Sequence, residues 1–318
     1  MEYGFDTLAV HGGFHGEESP YPGAVPLHRS AAYRFRNTQH AADLFSLEEE
    51  GHIYTRIGNP TQEVLEERMA LLEGGTAALA LASGTSAVFY TVINICEAGD
   101  EVIASKYLYG GTYTMFNNIL PSFGITVRFV DVNNREALRS AIGDRTKLIY
   151  CETLGNPVLV PADLRHIAET AHENGLPLAV DSTFTTPYLC RPIEHGADIV
   201  IHSMTKWLGG HGAAIGGVVV EGGGFNWNTS RFPLFSEPDN SYHGIRWGAD
   251  LGDKQNTAFV SRMRTVPLRN LGACISPDNA WIILQGIETL SLRMQRHCDN
   301  ALAVAEFLSD QLDVEWVT

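Results

Sequence analysis

The sequence predicts an α/β protein built on a mainly parallel sheet covered by helices. Three observations carry this: short runs rich in Val, Ile and Ala, helical patterns between several of them, and Gly or Pro at the junctions. The runs are the 77–82 region, Glu101–Ser105, Thr126–Val130, Lys147–Glu152, Leu176–Asp181, Ala197–Ser203 and Ile215–Glu221. They predict a seven-stranded sheet. Ligands of such sheets sit at the carboxyl ends of the strands, and that is where chemistry is to be sought.

Residues 1–57 read as an irregular arm. Gly, Pro and His punctuate it, and the stretch Ser19–Pro26 interrupts regular structure. A long irregular arm in a folded protein often covers a neighbouring subunit. At Asn59 the pattern changes to a helix. Asn59 is a cap, Pro60 occupies the first turn, and Gln62 stands where a capping-box partner would. Val64, Leu65, Met69 and Leu72 follow near helical spacing, and Gly74-Gly75 ends the element. A second helix is expected over Ala162–Asn174, with Gly175 just past its end. Residues 222–250 are rich in Gly, Asn, Pro and aromatics, which predicts a long loop over the site or against a partner chain. Helical patterns return at Trp281–Leu290 and Ala301–Leu312, and Asp313–Thr318 reads as the start of a strand. The expected organisation is an arm (1–57), a ligand-binding domain (58–270) and the beginning of a smaller α+β domain (271–318) that reads as incomplete.

The chain has 318 residues, 44% of them hydrophobic, enough for one large core or two domains. A net charge of −15 makes it a poor general binder of nucleic acid. An anionic ligand must therefore be held by local donors. Cys96, Cys151, Cys190, Cys274 and Cys298 form no metal-binding spacing. Odd in number and widely spaced, they read as reduced packing residues of a cytoplasmic protein. The start of the chain has no signal-peptide pattern, and no apolar run is long enough to span a bilayer.

The sharpest segment is His202–Gly212, where Lys206 follows a strand end between Ser203, Thr205 and a glycine-rich turn. The hydroxyls donate to a phosphate, and the glycines let backbone approach a ligand. A lysine partly withdrawn from water becomes a nucleophilic amine. The plainer reading of Lys206 is an exposed loop lysine. Asp181 ends another apolar run, and a carboxylate there needs a partner such as a protonated pyridine nitrogen. A turn or cap residue is the alternative. Ser83, Gly84, Thr85 and Ser86 lie between a strand and a helix, the arrangement of an anion cradle. In the arm, Arg56 is a phosphate clamp with Tyr54 as a second donor, or else a solvated Arg. Tyr109, next to Gly110 and Gly111, can lay its ring on a planar ligand. Asn156 can donate to a ring oxygen. No metal site is expected.

Six segments carry a resemblance: Tyr54–Thr61 (YTRIGNPT), Ala82–Ala87 (ASGTSA), Tyr109–Tyr113 (YGGTY), Glu152–Pro157 (ETLGNP), Val180–Pro187 (VDSTFTTP) and His202–Gly212 (HSMTKWLGGHG). Their order and spacing resemble the pyridoxal-5′-phosphate (PLP) enzymes of Cys/Met metabolism over essentially the whole chain. That family includes cystathionine synthases and lyases, methionine γ-lyase and O-acetylhomoserine sulfhydrylases. The resemblance implies fold type I of the PLP-dependent transferases, the aspartate-aminotransferase-like fold. It implies Lys206 as Schiff-base lysine, Asp181 on the pyridine nitrogen, Tyr109 stacked on the ring and Asn156 on the ring hydroxyl. Gly84, Thr85, Ser203 and Thr205 would hold the phosphate, with Ser83 and Thr183 completing the cofactor-binding set. Tyr54 and Arg56 would reach the phosphate of a neighbouring subunit, which implies a dimer and usually a homotetramer of two such dimers.

The stretch around Phe225–Gly244 and the Thr205–Gly212 segment (TKWLGGHG) resemble the sulfhydrylase branch. Methionine γ-lyases usually carry Cys two residues after the stacking Tyr, where this chain has Gly111. The implied reaction is γ-replacement: O-acetyl-L-homoserine and sulfide give L-homocysteine and acetate, with Lys206 moving the Cα and Cβ protons. Other readings are a γ-lyase, a sulfhydrylase taking O-succinylhomoserine or O-acetylserine, and an inactive PLP-binding chain. The family's Arg for the substrate α-carboxylate has no counterpart here. Arg293 and Arg296 lie on a scaffold-like helix and are not assigned that role.

Overall fold

The computed structural model describes residues 3–15 and 22–317. Ser19, Pro20 and Tyr21 of the interrupted stretch in the arm, and the terminal Thr318, lie outside the described residues. A seven-stranded sheet runs in the order β1-β7-β6-β5-β4-β2-β3. Its strands are β1 (Ala77–Leu81), β2 (Glu101–Ser105), β3 (Thr126–Val130), β4 (Thr146–Glu152), β5 (Leu178–Asp181), β6 (Ile199–Ser203) and β7 (Gly217–Glu221). All neighbours are parallel except β7, which runs antiparallel to both β1 and β6. The antiparallel pairing aligns Ser203 with Gly217 and Leu81 with Gly217. It thus draws the carboxyl ends of β1 and β6 to the same end of β7.

Alternation along the strands builds two cores. Ile103, Ile149, Cys151, Leu178, Val180, Val200, Val218 and Val220 face one layer. Leu79, Val102, Ala104, Leu148, Tyr150, Ala179, Ile201 and Val219 face the other. Strands buried on both faces explain why the sequence shows continuous apolar runs rather than apolar/polar alternation.

The helices in chain order begin with α1 (Phe5–His11), α2 (Thr38–Phe45), α3 (Pro60–Glu73) and α4 (Gly84–Ile93). Next come α5 (Gly110–Thr114), α6 (Arg135–Ala141), α7 (Leu164–Glu173), α8 (Thr186–Leu189) and α9 (Pro233–Ser236). The last are α10 (Ala258–Met263), α11 (Arg269–Leu271), α12 (Pro277–Ile287) and α13 (Leu290–Ser309). In α3 the Asn59 side chain accepts from Thr61 N–H, Pro60 is in the first turn, and Gly74 closes the helix at φ 74°. The Asp163 cap of α7 accepts from His166 N–H.

Several expectations are corrected. The arm is not wholly irregular, because α1 packs on α3 and Asn37 caps α2. Gln62 makes no capping box: it is buried and its amide donates to the Ile275 carbonyl, a tertiary partner that outcompetes the local one. Of the two places expected for residues 222–250, over the site or against a partner chain, the first is excluded, since none of them lines the candidate site described below. Trp227, Phe232, Phe235, Tyr242 and Trp247 are buried in the sheet's second core, where Trp227 stacks on Phe235 and Phe259. The helical patterns at Trp281–Leu290 and Ala301–Leu312 fall mainly in α12 and α13, which begin earlier than those stretches, at Pro277 and Leu290. No strand forms over residues 313–317, which have no ladder partner among the described residues. The five cysteines are all free thiols. Among the described residues, no helix is long and apolar enough to cross a membrane, and no cluster fit to hold a metal is found.

Candidate active site

Five strand ends converge on a cavity of about 590 Å³. After β1 come Ser83, Gly84 and Thr85. After β2 come Tyr109 and Thr112. Glu152, Leu154 and Asn156 follow β4, Asp181, Thr183 and Phe184 follow β5, and Ser203, Thr205, Lys206 and Trp207 follow β6. Ten of the twelve sequence-derived site residues are therefore brought together. Tyr54 and Arg56 are not. In this chain the Arg56 guanidinium lies over the Tyr54 ring, 5.4 Å from its centroid, and donates to the Arg269 carbonyl.

The wall made by α4 is an anion cradle. Ser83 Oγ caps the helix by accepting from Ser86 N–H (3.1 Å), and the remaining first-turn N–H groups point out with the helix dipole behind them. Gly84 packs directly on Ser203, since a Cβ at 84 would lie 2.5 Å from Ser203 Cβ. Ser203 in turn donates its N–H to Thr183 Oγ1 (2.7 Å). The Thr205 hydroxyl is partly spoken for, because it accepts from Gly216 N–H (3.1 Å).

Asp181 forms the floor. Its Oδ1 accepts from Thr183 N–H (3.0 Å) and its Oδ2 from the Tyr150 hydroxyl (3.4 Å). Burial pushes the Asp181 carboxyl above the usual range. A cationic ring nitrogen facing it would restore the ionised form. Lys206 stands across the cavity on a turn in which its N–H donates to the Ser203 carbonyl (3.2 Å) and its own carbonyl accepts from Gly210 N–H (2.8 Å). The expected withdrawal of Lys206 from water is not supplied by this chain, since its side chain is exposed in the open cavity. Tyr109 is 52% exposed, and its ring folds over Gly111 so closely that a Cβ at 111 would meet Cε1 at 2.5 Å. Asn156 is exposed at the rim, before a cis bond to Pro157.

Sequence reasoning left two contributors unassigned. Glu152 ends β4 as Asp181 ends β5, and the two are register partners. The strand-end rule that singled out Asp181 applied equally to Glu152. Burial first, and then the Asp181 charge, push the Glu152 carboxyl up to about 8. Arg293 supports the site from outside: its guanidinium donates to the carbonyls of Trp207 (2.6 Å), Leu208 (3.3 Å) and Gly286 (2.6 Å). No local signal announces such a role. It agrees with reading Arg293 as scaffold.

Comparison with known proteins finds relatives over nearly the whole chain. The model of the Cys/Met metabolism PLP-dependent enzymes matches residues 6–318. An O-acetyl-L-homoserine sulfhydrylase of Leptospira meyeri is 51% identical over 98% of this chain and 72% of its own length. A homocysteine synthase of Schizosaccharomyces pombe is 46% identical over 99% of this chain and 73% of its own. Among solved structures, a putative O-acetylhomoserine (thiol)-lyase of Campylobacter jejuni superposes with a TM-score of 0.93 at 38% identity. It covers 98% of this chain and 77% of its own, and it carries N′-pyridoxyl-lysine-5′-monophosphate.

Proposed function

The chain belongs to the Cys/Met metabolism PLP-dependent enzymes, and from that premise we propose that it joins sulfide to the γ-carbon of O-acetyl-L-homoserine, releasing acetate and giving L-homocysteine. The observation that carries the reading is the convergence of an amine, a half-buried carboxylate and a helix-terminal anion cradle on one cavity. That donor set fits PLP. The N–H groups at the start of α4, with Ser203, suit a phosphate; Asp181 suits a pyridinium; and Lys206 stands opposite. The cavity's size is that of a small-molecule site, roughly 300–1,000 Å³.

When bound, PLP supplies an electron sink for charge that develops at the substrate Cα. The chain's own groups do the rest. Asp181 would keep the ring nitrogen protonated, and its carboxylate is held in place by Thr183 N–H and the Tyr150 hydroxyl. Lys206 would take and return protons at Cα and Cβ, its flexible stem carrying the amine into the cavity from the turn after β6. Tyr109 would cover the ring face, and Asn156 would orient the ring hydroxyl. Phe184, Trp207, Leu154 and Ile215 give the substrate an apolar wall. Acetate then leaves from the γ-carbon and sulfide takes its place.

The reading includes a second copy of the chain. Tyr54 and Arg56 lie outside their own chain's cavity, and we assign them to the phosphate of a neighbour's site. Residues 58–270 are then the cofactor-binding body and residues 1–57 the arm that reaches across. The deciding experiment supplies the purified chain with PLP, O-acetyl-L-homoserine and sulfide and measures homocysteine. The expected result is homocysteine that disappears in Lys206→Ala. A protein that binds PLP on Lys206 yet makes no homocysteine would sink the assigned reaction.

A further inference from the structure

Two carboxylates face this cavity, and the reaction as described uses one. Glu152 is nearly buried, and its Oε1 accepts from the backbone N–H of Tyr109 at 2.6 Å. Tyr109 is the N-cap of α5, so that N–H has no partner within the helix. The Tyr109 carbonyl is already occupied, accepting from Tyr113 N–H at 2.9 Å. The residue is thus clamped at both ends of its backbone while its ring stands half-exposed.

Resting on the PLP reading, we propose that Glu152 is a positioning residue that fixes the Tyr109 ring against the cofactor by accepting the Tyr109 backbone N–H. It joins the end of β4 to the turn after β2, and β2 and β4 are neighbours in the sheet. The loop bearing the ring is therefore tied to the same strand end that leads to Asn156. The Asn156 N–H also favours the ionised form of Glu152. The role requires an acceptor at this position rather than a proton donor or nucleophile.

The test compares Glu152→Ala and Glu152→Gln with the parent chain. Each protein is loaded with PLP and reduced with borohydride to locate the cofactor, and PLP affinity and the cofactor's induced circular dichroism are measured. Glu152→Ala should still take PLP on Lys206 but lose most of the induced dichroism. Its PLP dissociation constant should rise roughly tenfold, the upper end of what one lost hydrogen bond is worth. Glu152→Gln retains a carbonyl acceptor and should restore both. A Glu152→Ala protein with the parent's dichroism and affinity would overturn the proposal. So would a Glu152→Gln protein no better than Glu152→Ala, because charge rather than acceptance would then be what matters. Failure of the parent chain itself to take PLP on Lys206 would overturn the underlying PLP reading, and this proposal with it.

Discussion

Gly84→Ala tests the phosphate cradle most directly. The added Cβ would lie 2.5 Å from Ser203 Cβ, 2.8 Å from Ser203 Cα and 2.9 Å from Ser203 Oγ. Carbon atoms pack comfortably at about 3.5–4.0 Å, so α4 and the end of β6 must part by roughly 1 Å. No rotamer change relieves this, because one of the contacts is with backbone. Retreat on the other side is blocked too: Ser203 is register-paired with Gly217, where a Cβ would meet the Ser83 carbonyl oxygen at 2.1 Å. Overpacking of this kind costs about 1–3 kcal/mol. Replacing a helical Gly recovers up to about 1 kcal/mol, and less in a first turn. The net loss is about 1–2 kcal/mol, which for a chain of this size lowers the melting temperature by roughly 1–3 °C. The cradle N–H groups shift with the helix, so PLP affinity should fall at least about tenfold, given how steeply site function depends on 1 Å displacements. Thermal unfolding of the PLP-free protein and titration with PLP measure the two effects. Gly143→Ala, with open space around the new methyl, is the control expected to leave both unchanged. A Gly84→Ala protein with the parent's melting temperature and PLP affinity would refute the packing argument.

Three further perturbations test other parts of the site. Arg293→Met removes the donor shared by the Trp207, Leu208 and Gly286 carbonyls. It should cost about 2–3 kcal/mol in urea unfolding, the scale of a charge-assisted hydrogen bond lost. Gly111→Ala displaces the Tyr109 ring, which is half-exposed and has solvent on its other side to yield into. Stability should therefore hold or rise by up to about 1 kcal/mol, while the induced dichroism of bound PLP falls; an unchanged spectrum would show that Gly111 does not set the ring's place. The third concerns pH. The folded Glu152 carboxyl is pushed up to about 8 from an ordinary 4.5, so its contribution to stability is complete below pH 4.5 and is lost as pH rises through 8. The urea midpoint of the PLP-free parent should fall across that window, and that of Glu152→Gln should fall less. Equal slopes would contradict the shift.

Much of this protein was legible because strand and cap signals are local. A run such as Glu101–Ser105 is apolar on both faces whatever its neighbours are, and its limits match β2. Asn59, Pro60 and Gly74 delimit α3 through backbone geometry that belongs to those residues alone. The strand-end rule then led to Lys206 and Asp181, since a parallel sheet delivers its carboxyl ends to one place. What depended on distant partners was not legible. The helix α1 is a short segment that gains from packing on α3, not from its own propensity. Gln62 chose the Ile275 carbonyl over its local cap. The direction of β7 and the burial of Trp227 and Trp247 were decided by pairing and packing that no window of sequence contains. Arg293 belongs to the same class, and so do the contacts of Glu152, although the strand-end rule marks its position. Their residue types were visible, but the Tyr109 N–H and the loop carbonyls they bind meet them only once the chain is folded, so tertiary structure alone decided what they do.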